Sequence, residues 1–153
     1  MYKKILVPLD GSKLAEAALH HASELAQLMN AELTLLRVIT PPLYVESPND
    51  PMYSAIMVEG LRTLQAEARD YLDRMVLSLR ERGLTVSATA KNNSIVANTI
   101  FAHAEAAQAD LIVMSTHGRS GLSRWLIGSV ADKVVNGAKM PVLLIRPALE
   151  EVE

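Results

Sequence analysis

The sequence predicts an α/β fold: one doubly wound domain, a five-stranded parallel sheet with helices on both faces. Two observations carry this prediction. Short apolar runs of strand length alternate along the chain with segments of helical period, in the order βαβαβαβαβ. At 153 residues the chain suffices for one core and needs no second domain. Strands that alternate with helices run parallel, joined by right-handed crossovers that cover both faces of the sheet.

Taken in order, "KKILVPLD" reads as a buried strand ending near Val7, since both faces are apolar and Pro8 closes the run. Ser12 is placed to cap a first helix whose apolar residues, Ala15, Ala18, Leu19, Ala22, Leu25, Ala26 and Met29, recur at helical spacing up to Asn30. "AELTLLRVI" is the second strand. The prolines of "TPPLYVESPNDP" then predict a long irregular loop over 40–52. Leu61, Leu64, Ala68, Tyr71, Leu72, Met75 and Leu79 form the stripe of a long second helix ended by Gly83, followed by "LTVSATA" as strand three. Residues 95–108 read as helix three and "DLIVMS" as strand four. Ser129 to about Asn136 reads as helix four, and "PVLLIR" as strand five.

Composition narrows the function. Hydrophobic residues make up 50% and charged residues 21%, with a formal net charge of −2, so no basic face announces a nucleic-acid partner. There is no cysteine, hence no disulfide framework and no thiolate chemistry. "MYKKILVPLDGS" has too short an apolar run for a signal peptide, and no stretch approaches the ~20 residues that span a bilayer. The expectation is a soluble cytoplasmic protein, with neither membrane nor nucleic acid as partner. Its domain would cover 1–148, ahead of an acidic tail at 149–153.

In such sheets ligands sit beyond the carboxyl ends of the strands, where the strand order reverses. Two loops emerge there: "PLDGS" after strand one and "STHGRSG" after strand four. The run "DLIVMSTHGRSGLSRWLIGS" holds three glycines, four serines and two arginines, and ends where Ser129 opens a helix. Free N–H groups and the positive dipole end favour an anion there, and Gly118 and Gly121 bracket Arg119 and Ser120 in a turn able to present successive N–H groups. The competing reading is a glycine-rich turn with a capping box, Ser129-Val130-Ala131-Asp132, which needs no ligand. No lysine follows Gly128, G-x-G-x-x-G is absent and "GRSG" falls short of G-x-S-x-G, which excludes the commonest nucleotide and hydrolase motifs. His20 and His21, adjacent on a helix, are expected to point apart, and His103 stands alone; none suggests a metal. Trp125 either packs as core or marks a contact surface.

"KKILVPLDGS", "LLRVI", "ADLIVMSTHGRSGLSRWLIGSVADKVV" and "PVLLIRP" together resemble the universal stress proteins, over essentially the whole chain. The pattern of that family's nucleotide-binding branch, Gly-x2-Gly-x9-Gly-Ser/Thr, falls on Ser115, Gly118, Gly128 and Ser129, with Ser115 in place of the first glycine. The resemblance implies strand order 3-2-1-4-5 and an adenine nucleotide, ATP or AMP, in the crevice. Pro8 and Leu9 would line it and the backbone of Val38 would bond the adenine. Ser115, Thr116, His117, Gly118, Arg119, Ser120 and Gly121 would wrap ribose and phosphates, and Ser129, Val130 and Ala131 would hold the distal phosphates. Asp10 resembles the family acid near the phosphates or their Mg²⁺ or Mn²⁺. Asp-Gly is equally a common turn pair. The strand order that the resemblance implies puts "MPVLLIRP" at the sheet edge, and an apolar edge strand rarely stays bare, so a homodimer through strand five, residues 141–146, is expected, with the chain's own "ALEEVE" tail or a loop as the alternative cover.

No general base near a γ-phosphate is evident, so the leading expectation is a nucleotide-binding regulatory module of the stress response rather than an enzyme. The alternatives are a slow ATPase or adenylate-transfer enzyme using Asp10, His117 and Ser129, and a nucleotide-free dimeric interaction protein.

Overall fold

The computed structural model describes residues 1–41, 51–117 and 127–147. Its elements are β1 (Lys4–Leu9), α1 (Lys13–Met29), β2 (Glu32–Ile39), α2 (Pro51–Glu81), β3 (Val86–Asn92), α3 (Val96–Ala106), β4 (Leu111–Ser115), α4 (Ser129–Gly137) and β5 (Val142–Ile145). The strands form one parallel sheet in the order β3-β2-β1-β4-β5, the doubly wound arrangement that the sequence predicts.

Alternation along each strand feeds two cores, which explains why the strands are apolar throughout. Ile5, Val7 and Leu9 of β1, with Leu33 and Leu35 of β2, pack against α1 and α2 through Ala18, Leu19, Ala22 and Leu72. Leu6, Leu36, Ile112 and Met114 meet α3 and α4 through Ala97, Ile100, Ala104 and Val134 on the other face.

Local signals place the ends of α1. The Ser12 side chain accepts from the Ala15 N–H as N-cap, and Asn30 ends the helix in the left-handed region at φ 51°. Ala31 N–H donates back to the Ala26 carbonyl at 2.9 Å. The start of β4 is clamped to the start of β1 by Asp110, whose carboxylate accepts from the backbone N–H of Lys3 at 2.8 Å and of Lys4 at 3.1 Å.

Three elements differ from their sequence expectation. β1 does not end near Val7 but runs through Pro8 to Leu9. Helix two begins at Pro51, well before its stripe, because proline suits the first helical position, where no intrahelical donor is needed. The first turns of this helix bury little: Met52 is 72% and Ile56 65% exposed. The expected loop therefore does not extend to 52, and its residues 42–50 lie outside the described residues. Finally, the Ser129–Asp132 capping box does not form. Gly128 is the N-cap, without a side-chain bond, and Ser129 is already helical. The reason is tertiary: Gly128 N–H donates to the Thr116 carbonyl at 2.8 Å, which sets where α4 begins. The acidic tail at 149–153 lies outside the described residues.

Candidate functional site

β1 is paired with β2 from Lys4↔Glu32 to Leu9↔Arg37, but with β4 only at Ile5↔Leu111 and Leu6↔Ile112. The cause can be traced to one residue. The Lys3 carbonyl accepts from Glu32 on the β2 side and the Lys4 carbonyl from Asp110 on the β4 side, so Lys4, Leu6 and Pro8 address β4 in alternation. Pro8 has no N–H to offer, and the ladder stops. β4 meanwhile stays paired with β5 as far as Ser115↔Ile145. The sheet thus opens at its carboxyl edge between β1 and β4, the point where the strand order reverses.

A cleft of about 320 Å³ occupies that opening. Pro8, Leu9, Asp10, Val38, Ser115, Thr116, His117, Gly128, Ser129, Val130 and Ala131 line it, together with Leu36, Arg37, Leu64, Ile100 and Met114, which sequence reasoning did not single out. Gly118, Arg119, Ser120 and Gly121, like Arg124 and Trp125, lie outside the described residues. The long-range apolar members were not legible because they come from elements far apart in the chain. Arg37 did leave a signal: it is the one charge between "LTLL" and "VI" in a strand buried on both faces.

On the β1–α1 side the wall is a chain of side-chain bonds. Asp10 Oδ1 accepts from Ser12 N at 2.9 Å and Ser12 Oγ at 2.6 Å, and Ser12 Oγ accepts from Ala15 N at 3.2 Å. Gly11 between them stands at φ +85°, where a side chain is strained, and a Cβ there would lie 3.0 Å from Cζ and both terminal nitrogens of Arg37. Arg37 is 9% exposed, and its guanidinium stacks 5.0 Å from the centre of the Tyr71 ring. Burial pushes the Tyr71 hydroxyl well above its ordinary pKa; Glu16 and Asp10 push the same way and Arg37 opposes them. Glu16 acts here mainly through its charge, since no described atom meets hydrogen-bond geometry with the Tyr71 oxygen.

On the β4–α4 side the wall is mostly main chain. Thr116 N–H donates to the Ile145 carbonyl at 2.8 Å and the Thr116 carbonyl accepts from Gly128 N–H at 2.8 Å. Ser115 is buried, and its hydroxyl accepts from His117 N–H at 3.3 Å, so the extra oxygen at this position holds the turn. His117 Nδ1 lies 3.0 Å from Thr116 Oγ1, while its buried Nε2 has no partner among the described residues. Gly128 has φ −58°, an ordinary value; it is small because a Cβ would come 3.0 Å from the Thr116 carbonyl oxygen. In α4 the first helical bond runs from Asp132 N–H to the Gly128 carbonyl, so the N–H groups of Ser129, Val130 and Ala131 stand ahead of the helical ladder at its positive end. One wall therefore offers hydrogen-bond donors to an anion and the other carries an acid and a buried cation, above an apolar floor.

The remaining histidines sit elsewhere. The rings of His20 and His21 do not point apart but meet edge to face with centroids 5.8 Å apart, and His20 Nε2 lies 3.4 Å from Glu24. Among the described residues no three His, Asp or Glu side chains gather as metal ligands. No helix in the described residues is long and apolar enough to cross a membrane.

The model of the universal stress protein family matches residues 1–146. Universal stress protein MJ0531 of Methanocaldococcus jannaschii is 34% identical over 99% of this chain and 86% of its own length. The universal stress protein UspA from Lactobacillus plantarum superposes with a TM-score of 0.83 at 29% identity, over 95% of this chain and 98% of that one. Two universal stress proteins with the same fold at 23% identity and TM-score 0.65 were solved in complex with cAMP and, from Archaeoglobus fulgidus, with dAMP. The first alignment covers 95% of this chain and 97% of that one, the second 94% and 98%.

Proposed function

The chain belongs to the universal stress protein family, and from that premise we propose that it binds an adenine nucleotide, ATP or AMP, in the cleft between β1 and β4 and acts as a regulatory module of the stress response. The observation that carries this reading is the pairing of an apolar cleft of about 320 Å³ with the N-terminal N–H groups of α4 on its wall. Adenine would lie on Val38 and Leu9, the ribose against Ser115 to His117, and the phosphates toward Ser129, Val130 and Ala131. His117 Nε2, buried without a described partner, would find one in the ligand. The adenine-nucleotide complexes of the distant relatives support the same class of ligand.

Asp10 is the single acid on the described cleft wall, and one carboxylate falls short of the oxygen set that Mg²⁺ or Mn²⁺ requires. A divalent ion at this site would come with the phosphates and take most of its oxygens from them. Among the described residues no second carboxylate stands by the cleft to serve as general base, which supports a binding role. The dimer reading rests on β5: it is the sheet edge, its outer flank has no strand partner among the described residues, and Leu143 is 37% exposed.

Mass spectrometry of small molecules released from the denatured protein, followed by calorimetry with ATP, AMP and GTP, tests the ligand. Adenine nucleotides should bind and GTP should not. Absence of any nucleotide and of any binding heat would overturn the reading in favour of a nucleotide-free interaction protein. Sedimentation of wild type and Leu143→Lys tests the dimer; a monomeric wild type sinks it.

A further inference from the structure

Arg37 is a charge where the fold should not tolerate one. It stands in β2 between Leu36 and Val38, is 9% exposed, and faces the side of the sheet covered by α1 and α2. A guanidinium so buried is stable only when neighbouring groups compensate it. The register Leu9↔Arg37 sets it beside the last residue of β1, and its Cζ and terminal nitrogens pack against Gly11, the residue after Asp10. The guanidinium stacks on the Tyr71 ring, and the charges of Glu16 and Asp10 are both felt at the Tyr71 hydroxyl. Asp10 itself is held in place, since Oδ1 already accepts from both donors of Ser12.

We propose that Arg37 is the resident counter-ion of the Asp10 turn, fixing the carboxylate edge of the cleft and standing in the place a divalent cation would take beside Asp10. A carboxylate next to a phosphate chain repels it unless a cation intervenes. Here the cation is built into β2, and its position is set by the strand register rather than by solution metal. Arg37 is in this sense a positioning residue: it acts on the ligand through the Asp10 turn. The metal consequence rests on the nucleotide reading above; the pairing of Arg37 with the Asp10 turn does not.

The test has two arms. In thermal unfolding, Arg37→Met should lower Tm on the order of 10 °C, because it leaves the half-buried Asp10 and Glu16 without their buried cation. The double variant Arg37→Met/Asp10→Asn should recover about half of that loss, a coupling that separate roles would not produce. Strictly additive losses would overturn the pairing. In calorimetry, wild-type affinity for ATP should change less than about threefold between Mg²⁺ and EDTA. Arg37→Met should become at least tenfold dependent on Mg²⁺, and Arg37→Lys, which keeps the charge and guards against a misfolded methionine variant, should behave like wild type. A wild type that loses tenfold or more on chelation overturns the metal arm. If ATP and AMP bind under no condition, the nucleotide reading falls together with that arm, and the double-variant cycle alone upholds or overturns the pairing.

Discussion

The two walls of the cleft are held by different kinds of bond. On the β1–α1 side, Asp10, Ser12 and Arg37 shape the turn through their side chains, and Gly11 is needed for its φ of +85°. On the β4–α4 side, Thr116, Gly128 and Ile145 are joined through the main chain, and Gly128 is needed only for closeness, since its own φ of −58° suits any residue. A turn held by side chains can be retuned by single substitutions. A wall held by main chain ignores most side-chain changes and fails where a Cβ cannot fit. The cleft therefore has an adjustable edge facing a fixed one.

The largest effect should come from the fixed edge. Gly128→Val forces branched carbon against the Thr116 carbonyl, which cannot move without breaking its bond to residue 128, and should cost about 3 kcal/mol in urea unfolding along with most nucleotide affinity. A loss below about 1 kcal/mol would mean that this wall is pliant, and the contrast would collapse.

Gly11→Ala comes next, at about 1–2 kcal/mol from the left-handed backbone, because the atoms its Cβ meets belong to the end of the Arg37 side chain and can give way. Equal costs at Gly11 and Gly128 in matched alanine variants would erase the distinction between conformation and close approach. Ser12→Ala removes the N-cap of α1 and one anchor of Asp10, for about 1 kcal/mol. It should also weaken nucleotide binding, whereas a pure capping role would leave calorimetry unchanged.

The smallest effect is a pH response of the adjustable edge. The Tyr71 hydroxyl has a folded pKa raised above the unfolded value of about 10, so the unfolded chain loses its proton first and stability falls as pH rises past about 10. Tyr71→Phe should flatten that alkaline limb relative to wild type. An unchanged limb would assign the alkaline loss to other groups.

Much of this was legible because it is local. The Ser12 cap and the Asn30 stop depend on bonds spanning a few residues, and the apolar strands alternating with helical stripes dictate the layered class. The candidate residues of "PLDGS" and "STHGRSG" that the structure describes all reach one cleft, since both loops leave the same edge of a parallel sheet.

By itself, then, the sequence determined the order and kind of the elements, the ends of α1 and the two loops whose described residues line the cleft. Tertiary structure alone decided three things. Pro8 opens the sheet rather than ending the strand because register turns its missing donor toward β4. Gly128, not Ser129, caps α4 because a distant carbonyl takes its N–H. Arg37 is buried at the cleft because the chain wraps α2 over it and lays it against Gly11. In each case the deciding partner lies far away in the chain, and which flank of a strand or which turn it meets is set by pairing and packing, not by the residues next to it.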